Sequence, residues 1–149
     1  MGAQITGFSD TPNMEKTDDK NENGRIRYCC TEMQGWRGNM EDTHIAELDI
    51  GDGNSLFAVF DGHGGPEVAK FVKNHFTKNL ISSAAYKRKD FKMALENTFM
   101  KMDRLLLSEK GKQELRTYME VGPEGSGYSE YMRQVESQAG CTATMVLIT

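Results

Sequence analysis

Leu56-Phe57-Ala58-Val59-Phe60-Asp61-Gly62-His63-Gly64-Gly65 is an apolar run that ends on a carboxylate and a histidine in a glycine-rich turn. An uninterrupted apolar run of this length suits a strand covered on both faces. Burial of such a strand fixes its backbone, so Asp61 and His63 emerge from a rigid platform at the edge of a core, which positions ligating groups better than a mobile loop does. The glycines leave room for backbone or solvent where a side chain would otherwise stand.

Upstream, Thr43 to Ile50 reads as a second strand, and Gly51-Asp52-Gly53-Asn54 supplies the turn that joins it to Ser55–Phe60 as a hairpin. Arg25 to Thr31 alternates Ile26, Tyr28 and Cys30 with Arg27 and Cys29, the period of a half-buried strand. Residues 9–24 are polar and aperiodic, which predicts a flexible N-terminal segment over 1–24 and a folded domain from 25 to 149.

Downstream the period changes. Pro66 suits a helix start, and Val68, Ala69, Val72, Phe76 and Leu80 then share one face, ending at Ser82 and Ser83. Asp90 is a natural N-cap for a second helix whose buried stripe is Phe91, Ala94, Leu95, Thr98, Phe99, Met102, Leu105 and Leu106. Residues 108–138 are polar and glycine-interrupted, predicting part of a helix near Lys112–Met119 and then an inserted exposed loop. Cys141 to Thr149 is β-branched and ends without turn or cap, so the expectation is a domain truncated in this chain, or completed by a partner.

At 38% hydrophobic and 27% charged residues the chain has the composition of an ordinary globular protein, and its net charge of -4 argues against a nucleic-acid partner. No apolar run approaches the roughly 18 residues of a membrane span, and no secretory leader is visible, so a cytoplasmic protein is expected. Cys29, Cys30 and Cys141 lack metal-site or disulfide spacing and are expected to be reduced and mostly buried. Met1-Gly2-Ala3-Gln4-Ile5-Thr6 fits the pattern for N-myristoylation at Gly2. A single acyl chain gives only weak, reversible membrane association, and the acidic residues that follow do not reinforce it.

Glu41 and Asp42 head the second strand and Asp61 ends the third, so the hairpin brings these carboxylates to one end. Carboxylates that close need cations or raised pKa values. With a backbone carbonyl such as that of Gly62 they suit magnesium or manganese rather than zinc. His63 has the titration range of a proton donor, and Arg37, four residues before Glu41, forks well onto a phosphate. His44 and His75 read as structural or exposed. Asp49–Asn54 is no calcium loop, because glycine stands where a second acidic ligand is required.

Gly35-Trp36-Arg37-Gly38-Asn39-Met40-Glu41-Asp42, then Phe57 to Gly65, then Ala139-Gly140-Cys141-Thr142-Ala143-Thr144 resemble, in order and spacing, the metal-dependent PPM-type (type 2C) protein serine/threonine phosphatases. The resemblance spans about residues 25–149, and the opening Met-Gly-Ala and Gly24–Tyr28 also look like animal-type members, which favours acylation at Gly2. It implies an α+β fold, a β-sandwich of two antiparallel sheets flanked by helices. It implies two Mg or Mn ions, with Asp61 bridging them, the Gly62 carbonyl as a ligand, and Glu41 and Asp42 binding directly or through water. Arg37 would hold the substrate phosphate and His63 would act as general acid, on phosphorylated protein substrates, in a monomer.

The departures are a cysteine at 141 where the family usually has serine, a long 108–138 loop, and a later Gly-Asp-Ser-Arg motif and two metal-binding aspartates that this chain does not contain. Half of the ligand set is thereby missing, which leaves open an alternative: a non-catalytic or pseudophosphatase module that binds phosphoproteins.

Overall fold

The computed structural model describes residues 8–118 and 139–149. Met119 and residues 120–138 of the expected loop lie outside the described residues, as does Gly2. The chain divides into two compact units, Met1–Met40 and Glu41–Thr149.

The first unit is an antiparallel pair, β1 (Phe8–Glu22) and β2 (Arg27–Arg37). A strand at Phe8–Glu22 corrects the expectation of a flexible segment. It carries no apolar face, and polar cross-strand bonds stand in for one. The Tyr28 hydroxyl donates to both carboxylate oxygens of Asp19 at 3.1 Å, and Thr31 Oγ1 donates to Asp18 at 2.9 Å. Tyr28 and Cys30 are half-buried between exposed neighbours, the alternation expected of this strand, which runs on through Arg37. Cys29, Cys30 and Cys141 form no disulfide, as expected, but Cys29 is exposed and Cys30 and Cys141 only half-buried, so they are not mostly buried.

The second unit holds a three-stranded antiparallel sheet in the order β3 (Thr43–Glu47), β4 (Ser55–His63), β5 (Gly140–Ile148). β3 ends earlier than expected, because Leu48–Ile50 belong to the turn. Ile50 donates to the Asn54 carbonyl at 2.8 Å, Ser55 Oγ donates to the Leu48 carbonyl at 2.7 Å, and Gly51, Asp52 and Gly53 all adopt positive φ. Asn54, buried at 5% exposure, donates to the Tyr86 hydroxyl at 2.8 Å and ties the turn to the helical layer.

Among the described residues four helices follow β4: α1 (Glu67–Ser82), α2 (Ala84–Lys87), α3 (Phe91–Leu106) and α4 (Glu109–Tyr118). The predicted stripe of α1 is buried in full, with Phe71 added to it. Asp90 caps α3 by accepting from the Met93 amide at 3.2 Å, a contact worth about 1 kcal/mol. Ala94, Thr98 and Met102 are buried on α3, while Phe99 meets Phe76 edge-on at 5.3 Å. Gly111 sits inside α4 rather than ending it, at a point where a β-carbon would collide with the Leu105 carbonyl. None of these helices is long and apolar enough to cross a membrane.

The core lies between the helices and one face of the sheet, where Ile45, Leu56, Ala58 and Phe60 meet Val68, Phe71, Val72, Phe76 and Leu80. Burial on β4 alternates, and Val59 on the other face is 53% exposed, so the expectation of a strand covered on both faces does not hold among the described residues. Antiparallel sheets with helices make the architecture α+β, as expected.

Candidate metal centre

β4 carries the sequence-predicted residues out of the core. Its inward side chains stop at Phe60, fully buried, and Gly62 follows on the same face. Asp61 and His63 alternate to the open face, across from Thr142 and Gly140 of β5. Thr43 pairs with Phe60, so Glu41 and Asp42, just before β3, stand at the same end of the hairpin as Asp61 and Gly62.

The contact at Gly62 is close. A β-carbon built there would collide with the carbonyl oxygen of Glu41 and lie 3.2 Å from its carbonyl carbon and from its Cβ. No heavier residue fits without moving the Glu41 backbone. On β5, a β-carbon at Gly140 would fall 2.6 Å from Nε2 of His63, so the imidazole lies across that glycine.

Glu67, which the sequence reading passed over, opens α1 with only 7% of its surface exposed. Its carboxyl folds back over Gly65, where a β-carbon would lie 2.9 Å from Cδ. One carboxylate oxygen, Oε2, is buried and has no hydrogen-bond partner. Such an orphan costs about 1–3 kcal/mol, and more when charged. Burial raises the Glu67 pKa above the ordinary carboxylate value; its own backbone amide and Lys70 oppose this, and the Glu41 carboxylate adds to it. A glutamate directly after Pro66 reads as a solvated helix-start charge, so only the fold reveals its burial.

Arg37 belongs to the first unit, where its guanidinium sits 5.7 Å above the Phe8 ring and its carbonyl accepts from Gln34 Nε2 at 2.8 Å. His75 is structural: its Nε2 lies 2.8 Å from Glu114 and its ring packs on Phe71. Cys141 lies beside Gly62, and its thiol pKa is raised first by burial, then by Asp103 and Asp61.

The donors at this end of the hairpin are hard oxygens, the set that suits magnesium or manganese. The Glu41 carbonyl held against Gly62 and the unpartnered Glu67 oxygen are donors of the kind that a hydrated cation takes. Among the described residues, no three carboxylate, histidine or cysteine side chains converge closely enough to hold a metal by themselves. Glu41 and Gly62 are therefore brought together through the backbone, without a closed cage of side chains.

A family model for protein phosphatase 2C matches residues 26–149. Protein phosphatase 2C 1 of Paramecium tetraurelia is 42% identical over 137 residues, covering 92% of this chain and 42% of that protein. Probable protein phosphatase 2C 21 of Arabidopsis thaliana is 41% identical over 108 residues, 72% of this chain and 30% of its own length. Probable protein phosphatase 2C 58 of rice (Oryza sativa subsp. japonica) is 39% identical over 109 residues, 73% and 30% of the respective chains. The chain thus spans less than half the length of these curated relatives.

Proposed function

The chain belongs to the protein phosphatase 2C family, and on that premise we propose that it forms part of a metal-dependent phosphatase acting on phosphoserine and phosphothreonine in proteins. The observation that carries this reading is the packing of the Glu41 carbonyl onto Gly62, which gathers hard oxygen donors at the end of β4. Asp61 and the Gly62 carbonyl are the proposed inner ligands of two Mg or Mn ions, with Glu41 and Asp42 completing this side. When bound, the cations supply Lewis acidity that activates water toward phosphorus.

The protein's own groups do the rest. Arg37 offers a planar, always-charged fork matched to a phosphate. His63, exposed at the strand end with its ring across Gly140, is the proposed proton donor to the departing alkoxide. Gly2 is the proposed acylation site, giving weak, reversible membrane association to a monomer that is otherwise cytoplasmic.

The test is Asp61→Ala in the protein carrying this chain, assayed on a phosphopeptide with manganese. Loss of manganese-dependent turnover is expected, and retention would remove the proposal.

A further inference from the structure

Glu67 holds a position that no residue adopts cheaply. A glutamate in the first helical turn ordinarily reaches into water, where the helix dipole favours it without desolvation. Here the side chain is buried at 7% exposure, folded over Gly65, with Oε2 unpartnered. Lys70, one turn on, does not donate to that oxygen. Glu41 borders the same turn, its backbone packed on Gly62 while Glu67 covers Gly65, and its carboxylate adds the smallest of the influences acting on Glu67. Two carboxylates so arranged call for positive charge, or for water polarised by it, between them. Among the described residues Glu67 does not complete a set of three carboxylate, histidine or cysteine side chains able to hold a metal, so its part is taken as indirect.

We propose that Glu67 is a positioning residue of the cation centre, its unpartnered oxygen accepting a hydrogen bond from water held by the cation on the Glu41 side. This rests on the assignment of Asp61, Gly62, Glu41 and Asp42 to that centre. It explains why α1 begins against the Asp61–Gly65 loop with a buried acid instead of a solvated one. Groups of this kind orient the ligands they touch, and their loss typically weakens metal affinity about 10- to 100-fold.

The experiment is manganese binding to the 149-residue chain without substrate, followed by water-proton relaxation into the millimolar range, with circular dichroism and thermal melting as fold controls. Glu67→Gln should keep the circular dichroism of the wild type and lower manganese affinity about tenfold or more, while Asp61→Asn should abolish binding. Equal affinity of Glu67→Gln and wild type, with Asp61→Asn still inactive in binding, overturns the role of Glu67 and leaves the cation centre standing. Binding by Asp61→Asn as strong as wild type, or none by the wild type, removes the centre and this inference with it. A second measurement needs no variant: manganese should broaden the amide resonances of Gly65 and Glu67 in the wild-type chain, and their persistence at saturation overturns the proposal even if Glu67→Gln fails to fold.

Discussion

The carbonyl oxygen of Glu41 occupies the space that a β-carbon at residue 62 would require. The atom in the way is backbone, anchored where β3 begins pairing with β4, and it cannot rotate aside as a side-chain end would. Gly62→Ala should therefore force the start of β3 away from β4, at a cost of about 1–3 kcal/mol in denaturant unfolding. It should also weaken manganese binding, because the displaced segment carries Glu41 and Asp42.

Gly140 makes the instructive contrast. The atoms that an added β-carbon would meet there are the Nε2 and Cε1 of His63, at 2.6 and 2.9 Å, on an exposed side chain that can swing away. Gly140→Ala is expected to change stability by less than about 1 kcal/mol while shifting the His63 ring resonances in NMR spectra. If His63 is the proton donor, turnover in the protein carrying this chain should fall with little change in phosphopeptide KM.

Glu114 joins α4 to α1 by pairing with His75 Nε2 at 2.8 Å, and it accepts within α4 from the Tyr118 hydroxyl at 2.5 Å, which in turn accepts from Asn74 of α1 at 2.9 Å. Its pKa is lowered from 4.5, chiefly by the Tyr118 hydrogen bond, against desolvation as the next influence and with His75 then adding to the lowering. A depressed carboxylate adds stability above its unfolded pKa and loses it as pH falls through the folded value. Wild type should accordingly lose stability more steeply than Glu114→Gln below about pH 4.5, measured by urea unfolding across a pH series.

The cysteines should separate by reactivity. Cys29 is exposed on β2, whereas the Cys141 thiol is pushed up by burial and by Asp103 and Asp61. Alkylation depends on thiolate, so Cys141 should react on the order of tenfold more slowly than Cys29 at neutral pH. Peptide mapping after timed iodoacetamide treatment reads this directly, and equal rates would contradict the burial of Cys141.

What was legible in the sequence follows from where the information resides. The stripes of α1 and α3 and the Asp90 cap are local, one residue type recurring at one period, and they appear where expected except at Phe99, which is exposed. β1 was illegible because its partners are distant polar groups, Asp18 to Thr31 and Asp19 to Tyr28, with no apolar alternation to mark it. β4 misled in the opposite sense: Phe57 and Val59 are apolar on the open face, so a strand covered on one side here reads as covered on both. For the site, the strand-end geometry of Asp61 and Gly62 was readable from the hairpin. The burial of Glu67 was not, since it depends on where α1 docks.

Phe76 tests whether α1 is the element that holds the site platform in place. It is fully buried, 6.5 Å from the ring of Phe60 on β4 and edge-on to Phe99 of α3 at 5.3 Å, so one side chain links the sheet to both long helices. Phe76→Ala should cost about 3–5 kcal/mol through lost burial and an unfilled cavity. Phe99→Ala, at a residue 37% exposed, should cost clearly less. Because Phe60 immediately precedes Asp61, loosening its packing should also loosen manganese binding in the fraction of Phe76→Ala that remains folded. Equal costs for the two variants in urea unfolding would show that the helices, rather than the α1–sheet contact, set the stability of this unit.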